Sequence, residues 1–422
     1  MGDRLRGFDQ PTVWHEFTPL ALQHGAINLG QGRFPDWPVE TVFKEKARDA
    51  VFEDYNQYAR PQGHLRLVRV LAERYSIQLG RRIEATTDVA IGVGATEVMY
   101  SALMGLLSPP LDEVVILEPA FDIYAAQVQM AGGKSTFVPL RFNVDTSQFD
   151  LDGDAVEAAF TARTRVLIIN SPHNPTGKIF SRPELERLAA IVDKFPNVVV
   201  LCDDVYEHMA FTSYPRFATL PRMFERSLTI SSAGKTFSVT GWKIGWAVGP
   251  PGLVQRIHLA NNWIQFSVAT PLQEAVAAML EIAPVPFKEF DSYFASVAAR
   301  HEAARDRLVA AFDALGLQVV LPQGGAFLFV DISHVEIPKK YLVGASRDYA
   351  FCRYLTVEKG VTAIPVSAFY CEEHKTLGHN FARFAYCKKL ETLDAAIGRL
   401  QSLVVTRETP PHPPSKDGLN YR

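Results

Sequence analysis

An α/β fold, with a mostly parallel sheet flanked by helices and a smaller α+β domain after it, is what this sequence predicts, and three observations carry the expectation. Residues 114–117, 166–169 and 198–201 are short continuous runs of β-branched and aliphatic residues, as strands buried on both faces require. Between them lie stretches with apolar residues at helical spacing, and strands alternating with helices build parallel sheets. The polar residues Gly94, Ala95 and Thr96, Asn174, Asp203 and Ser232 gather just past the strand ends, where open parallel sheets bind their ligands.

In chain order, residues 1–40 are rich in proline and aromatics. They read as an N-terminal arm that packs on another part of the molecule and begins the small domain. Residues 41–295 make the large domain. Helical spacing recurs over 42–53 and 65–79, on either side of Asn56, Gln57, Tyr58 and the breaker Pro61. A strand over 89–94 enters a helix over 96–107, 114–117 precedes a helix over 123–130, and 166–169 precedes one over 183–192. The run 198–201 ends in Asp203, and a short β-rich segment over 228–230 ends at Ser232. After Pro271 one long helical region reaches through Phe294 to Leu315 and bridges to the small domain, 296–405. That domain carries strands over 318–321, 326–330, 361–364 and 381–385 and helices over 347–358 and 390–403. The tail, 406–422, has too little apolar material for a core and is expected to be disordered.

The chain has 422 residues, 47% hydrophobic and 21% charged, enough apolar material for one large and one smaller domain. Its formal net charge of -3 gives no field that recruits nucleic acid or an anionic membrane, so a small-molecule partner is expected. The four cysteines form no C-x-x-C pair, and two lie in apolar runs, which suits a reducing, cytoplasmic setting. The histidines show no metal-ligand spacing, so no metal is expected. The first residues lack the apolar core of a signal peptide, and no stretch reaches membrane-spanning length.

Lys235 is the candidate around which the chemistry is organised. It follows a strand in a loop of small residues, Ser231-Ser232-Ala233-Gly234-Lys235, where desolvation would lower its pKa toward that of a nucleophile. Three readings compete: a surface lysine, a phosphate loop, and the Schiff-base lysine of a pyridoxal phosphate enzyme. The phosphate loop fails, because G-x-x-x-x-G-K-[ST] demands glycine where Thr229 stands. Possible partners follow the sheet. Gly94-Ala95-Thr96 opens a helix whose free N–H groups suit a phosphate, or is a plain turn. Asn174, held extended before Pro175, aims an amide, or belongs to a tight loop. Asp203 ends an apolar strand, as a cap or as the carboxylate beneath a pyridinium nitrogen.

Taken in order, seven motifs carry a resemblance over nearly the whole chain, from Trp14 to about Leu403. They are Asn28-Leu29-Gly30-Gln31-Gly32, Glu118-Pro119-Ala120-Phe121-Asp122, Asn174-Pro175-Thr176-Gly177, Asp203-Asp204-Val205-Tyr206, Ser232-Ala233-Gly234-Lys235, Gly241-Trp242-Lys243 and Ala363-Ile364-Pro365-Val366-Ser367. The chain resembles the fold-type I, pyridoxal phosphate (PLP)-dependent aminotransferases of classes I and II. Within them it resembles the group of kynurenine aminotransferase, glutamine transaminase K and cysteine-S-conjugate β-lyase, with the aspartate aminotransferase-like fold. The resemblance implies transfer of an amino group from a neutral, aromatic or sulfur-containing amino acid to a 2-oxo acid. It implies Lys235 as Schiff-base lysine and proton shuttle, Asp203 on the pyridine nitrogen, and Asn174 with Tyr206 on the ring oxygen. Phe121 would stack on the ring, with Ala95, Thr96, Ser232 and Lys243 around the phosphate. Gly32, Trp14, Tyr58, Asn174 and Arg383 would meet the substrate, Arg383 gripping its α-carboxylate. Phe266 would join the side-chain pocket, and Tyr58 would enter from a second subunit of a homodimer.

Some positions depart from the pattern of that group. Asp204 stands where glutamate is usual and Ser267 where histidine is common, while Thr96 replaces an aromatic and looks more like bacterial methionine or succinyl-diaminopimelate aminotransferases. Arg33 interrupts the usual turn, either as an idle loop insertion or as a guanidinium for the distal carboxylate of an acidic substrate. A β-lyase and a non-catalytic regulator are the rival functions, but Lys235 is present and no DNA-reading domain precedes Trp14.

Overall fold

The structure is a computed structural model that describes residues 3–31 and 36–406. Its centre is a seven-stranded sheet in the spatial order Val89–Val93, Ile244–Val248, Ser227–Ser232, Val199–Asp203, Thr164–Asn170, Glu113–Glu118, Lys134–Pro139. All neighbours are parallel except Ile244–Val248, which runs against both strands beside it. This strand escapes the sequence reading because its Gly245 and Ala247 dilute the β-branched signal and only two short helical turns, Ala233–Thr236 and Thr240–Trp242, separate it from the strand before.

Alternate residues of each strand pack on opposite faces, and both faces are covered, which is why the runs are continuously apolar. On one side Ala90, Ile116, Ile168, Leu201, Ile230 and Ala247 meet the helices Gly94–Leu106, Ile123–Met130 and Pro251–Ile264. On the other, Ile91 and Trp246 meet Leu65–Leu79 and Thr270–Ile282, while Leu167, Ile169 and Val200 meet Arg182–Lys194. The in-register pairs Asn170↔Asp203 and Asp203↔Ile230 bring the strand ends to one edge. That edge is where the site forms.

The small domain carries a four-stranded sheet, Val319–Val320, Phe327–Asp331, Phe381–Ala385, Ile364–Pro365, paired antiparallel throughout. Its core includes Phe312 and Phe384, whose ring centroids are 4.8 Å apart.

One element is added to the expectations and one expectation changes. The arm contains an α-helix, Val13–Gln23, whose Val13, Phe17 and Ala21 are buried at four-residue intervals. Its Val13 and Phe17 join the small-domain core together with Leu29. Pro19 inside that helix hides it from a propensity reading. The long helical region after Pro271 is two helices, Thr270–Ile282 and Tyr293–Ala314, because Pro284 and Pro286 stand between them and cannot continue a hydrogen-bonded turn. The tail from residue 407 onward lies outside the described residues.

Phe312 is fully buried, so Phe312→Ala should destabilise the small domain by about 3–5 kcal/mol through lost burial plus a cavity. Urea unfolding followed by far-UV circular dichroism measures this, and an unchanged midpoint would contradict the packing described.

Candidate active site

Lys235 sits on a one-turn helix, Ala233–Thr236, that begins directly after the strand Ser227–Ser232. This places its amine beyond the sheet edge, 5.8 Å from the centre of the Tyr206 ring. Burial lowers its pKa to about 8, with the charges of Lys243 and Arg383 adding to the effect and Asp203 opposing it.

Asp203 ends its strand as a buried carboxylate. Tyr124 Oη donates to its Oδ2 at 2.5 Å, and the Val205 N–H lies 3.4 Å from Oδ1. Burial raises its pKa, while Tyr124, Val205 and the amine of Lys235 pull it down. Asn170 fixes the neighbourhood: its Nδ2 donates to the Asp203 carbonyl at 2.8 Å, and its Oδ1 accepts the Asn174 N–H at 2.6 Å. Tyr124 and Asn170 both line the cavity and were missed in the sequence. Only the adjacency of Phe121-Asp122 could have pointed to Tyr124.

The helix Gly94–Leu106 starts at the cavity wall with no side chain capping it, so its first N–H groups face inward on the positive end of the dipole. Gly94 has φ +74°, and a Cβ there would lie 3.0 Å from Lys243 Nζ. Across from it, a Cβ on Gly245 would fall 2.3 Å from the Ala95 nitrogen. Two glycines therefore let strand, helix and lysine close into one anion cradle, with Ala95, Thr96, Ser232 and Lys243 on the cavity surface.

Arg383, in the central small-domain strand Phe381–Ala385, is 2% exposed. Nη1 donates to Asn174 Oδ1 at 3.1 Å and Nη2 to the Gly30 carbonyl at 2.7 Å. Both acceptors are neutral, and Nε is buried with no partner among the described residues. Phe327, Phe369 and Trp14 enclose the guanidinium at 4.0, 4.6 and 5.3 Å from their ring centres. Burial lowers its pKa to about 10, so it stays cationic at neutral pH. A buried cation with neutral partners favours an anionic ligand.

Lys235, Asp203, Tyr206, Asn174, Phe121, Ala95, Thr96, Ser232, Lys243, Trp14 and Arg383 thus surround one cavity of about 740 Å³. Trp14 reaches it from the N-terminal helix, its Nε1 donating to Asp122 Oδ2 at 2.9 Å. Tyr58 and Phe266 are not brought there: they are 83% and 52% exposed and touch each other edge-on at 5.4 Å. Gly32 and Arg33 lie outside the described residues. Asp204 points away from the cavity, receiving Arg216 Nη1 at 2.9 Å, while Arg216 Nη2 binds Glu207 at 2.6 Å. Among the described residues no helix is long and apolar enough to cross a membrane.

A lysine with pKa about 8 is mostly neutral above that pH and protonated below it. In the ligand-free chain, Lys235 should therefore react with trinitrobenzenesulfonate with a midpoint near pH 8, where ordinary lysines titrate near about 10.4. Peptide mapping across pH reads this out, and a midpoint shared with surface lysines would contradict the buried setting.

The comparisons with known proteins agree with this geometry. The aminotransferase class I and II family model matches residues 24–400. The kynurenine–oxoglutarate transaminase of Dictyostelium discoideum is 41% identical over 93% of this chain and 94% of its own length. Among solved structures, Bna3p from Saccharomyces cerevisiae superposes with a TM-score of 0.90 at 34% identity, covering 95% of this chain and 98% of that one. The N-succinyldiaminopimelate aminotransferase of Mycobacterium tuberculosis gives 0.84 at 38% identity, covering 95% and 99%. With a sheet edge that gathers lysine, carboxylate, anion cradle and buried arginine, and with similarity along nearly its whole length, the chain belongs to the aminotransferase class I and II family.

Proposed function

We propose that this chain is a PLP-dependent transaminase that takes the amino group of a neutral, aromatic or sulfur-containing amino acid, kynurenine foremost, and delivers it to a 2-oxo acid such as 2-oxoglutarate. The observation that carries the reading is the pairing, in one cavity, of a lysine lowered to about pKa 8 with a buried arginine bonded to neutral acceptors. The donor set fits PLP: Gly94 leaves room at a helix N-terminus beside Lys243, and Asp203 is the buried carboxylate on the same edge. Lys243, Ser232, Ala95 and Thr96 would hold its phosphate, Asp203 its ring nitrogen, Asn174 and Tyr206 its ring oxygen, and Phe121 its face. When bound, PLP supplies an aldehyde that carries the amino group and a ring that withdraws electrons from the substrate.

The chain's own residues supply the rest. The neutral amine of Lys235 accepts and returns the proton at Nζ, and its lowered pKa matches that task near neutral pH. Arg383 binds the substrate carboxylate through a planar fork, with Asn174 fixing its orientation. The rings of Trp14, Phe327 and Phe369 exclude water around that ion pair, which strengthens it. Trp14 and Phe327, which line the cavity, also suit an aromatic or thioether side chain better than a charged one. The name of the Dictyostelium relative supports kynurenine, whereas the mycobacterial neighbour makes succinyl-diaminopimelate the donor to test beside it.

The enzyme as we read it is a homodimer to which Tyr58 contributes across the interface. Supporting this, Tyr58, Trp263 and Phe266 are 83%, 90% and 52% exposed, too much aromatic surface to leave in water without a use. A cytoplasmic setting is supported by four free cysteines, three of them buried.

A donor panel of kynurenine, glutamine, methionine, phenylalanine and succinyl-diaminopimelate, each with several 2-oxo acids, tests the activity. Oxo acid should form with wild type, and Lys235→Ala should stop multiple turnover; persistent turnover in that variant would move the chemistry elsewhere. The adjacent aspartates should separate. Asp203→Ala should slow turnover by roughly 10²- to 10³-fold, the scale of losing one buried electrostatic partner, with the fold intact. Asp204→Ala should leave turnover per folded molecule within a few-fold but destabilise the protein by about 3 kcal/mol, because it breaks a buried ion pair. Thermal unfolding with steady-state rates measures both, and the reverse pattern would assign the ring nitrogen to Asp204.

A further inference from the structure

We propose that Glu118, Cys371 and His374 form a binding site for a thiophilic divalent cation of the zinc class, at the junction of the two domains and outside the transamination cavity. Glu118 is the last residue of the strand Glu113–Glu118 and is 1% exposed. Cys371 immediately precedes the 3-10 helix Glu372–Gly378, and His374 lies in its first turn. The Cys371 N–H donates to Glu118 Oε1, which fixes the carboxylate. Glu118 Oε2 then faces His374 Nδ1 at 2.6 Å and Cys371 Sγ at 3.6 Å, and the last two atoms are 3.3 Å apart. One oxygen, one nitrogen and one sulfur therefore converge, all within 4.8 Å of one another.

The geometry separates a cation site from a thiol nucleophile. A cysteine activated through histidine uses both ring nitrogens, one toward the thiol and one toward the acid. Here Nδ1 meets both groups, so the ring has no relay to offer. Burial and Glu118 also push the Cys371 thiol up rather than down, which opposes a reactive thiolate.

A tetrahedral ion with bonds of about 2.0–2.3 Å has ligand-to-ligand edges of about 3.3–3.6 Å. Two of the three edges already have these lengths, and the third opens by about 0.7 Å once the ion replaces the proton between His374 and Glu118. Binding releases the thiol proton of Cys371, while His374 coordinates through Nδ1 as the neutral imidazole with its one proton on Nε2, and the carboxylate and thiolate then balance the two positive charges. Mixed sulfur, nitrogen and oxygen ligation favours zinc-class ions over magnesium or calcium. His374 keeps 26% of its side chain exposed, which leaves an entry path and a fourth position for water. The ion would pin the segment after Phe369, whose carbonyl accepts the Ala120 N–H at 2.8 Å and whose ring covers Arg383.

Co²⁺ titration of the intact holoenzyme, followed by its d–d bands at the red end of the visible spectrum and by equilibrium dialysis, tests this. One equivalent should bind with tetrahedral intensity and be displaced by Zn²⁺. Cys371→Ser and His374→Gln should each weaken binding by more than about 100-fold, beyond the loss typical of outer partners of a metal ligand, with basal transamination unchanged. Failure of wild type to bind one equivalent, or equal binding by both folded variants, would overturn the proposal. The transaminase reading is judged separately, by the donor panel.

Discussion

Burial of the Asp203 carboxylate at the end of its strand, met by a hydrogen bond from Tyr124, is the constraint around which the strand-end cavity is arranged. A carboxylate taken out of water is costly unless its lone pairs are met. Here one oxygen receives the phenol at 2.5 Å and the other faces a backbone N–H. The sheet register makes this possible, because Asn170, Asp203 and Ile230 stand side by side on adjacent parallel strands. The helix that carries Tyr124 packs over the same face.

A second polar layer locks the strand that presents Lys235. Ser231 and Tyr75 both donate to Glu207 Oε1, at 2.7 and 3.0 Å, and Trp246 donates to the Tyr75 hydroxyl at 3.0 Å. Burial pushes the Glu207 carboxyl up, but His208, Arg216 and Arg74 pull harder and hold it below the ordinary range. Asp204, sharing Arg216, is pushed by burial to about 7 against that same charge. Neighbouring aspartates thus serve different ends, one facing the cavity and one holding the scaffold behind it. Alternation along an extended backbone sends them to opposite sides.

The two domains meet chemically at Arg383. Its strand belongs to the small domain, one acceptor is Asn174 of the large domain, and the other is Gly30 beside the N-terminal helix. Three segments remote in sequence thereby share one cation, so the position of the small domain sets the geometry around the guanidinium. The N-terminal helix belongs to the same construction, since Trp14 covers the guanidinium while Phe17 anchors the helix in the small-domain core.

By itself the sequence determined the strands of the parallel sheet, the helices between them and the polar residues at the strand ends. Continuous apolar runs and the breaks that follow them are local signals. The ordered motifs around Lys235, Asp203 and Asn174 were legible for the same reason, whereas Arg383 entered only through the family resemblance that they carry. Only the tertiary structure decided that Tyr124 serves Asp203, 79 residues away, and that Arg383 reaches Asn174, 209 residues away. It also decided that Val13–Gln23 is helical despite Pro19, that Tyr58 and Phe266 point outward, and that His374 meets Glu118. Each of these depends on contacts between distant segments. Their energy exists only once the sheet has aligned its strand ends and the small domain has closed against them, so no window of neighbouring residues contains it.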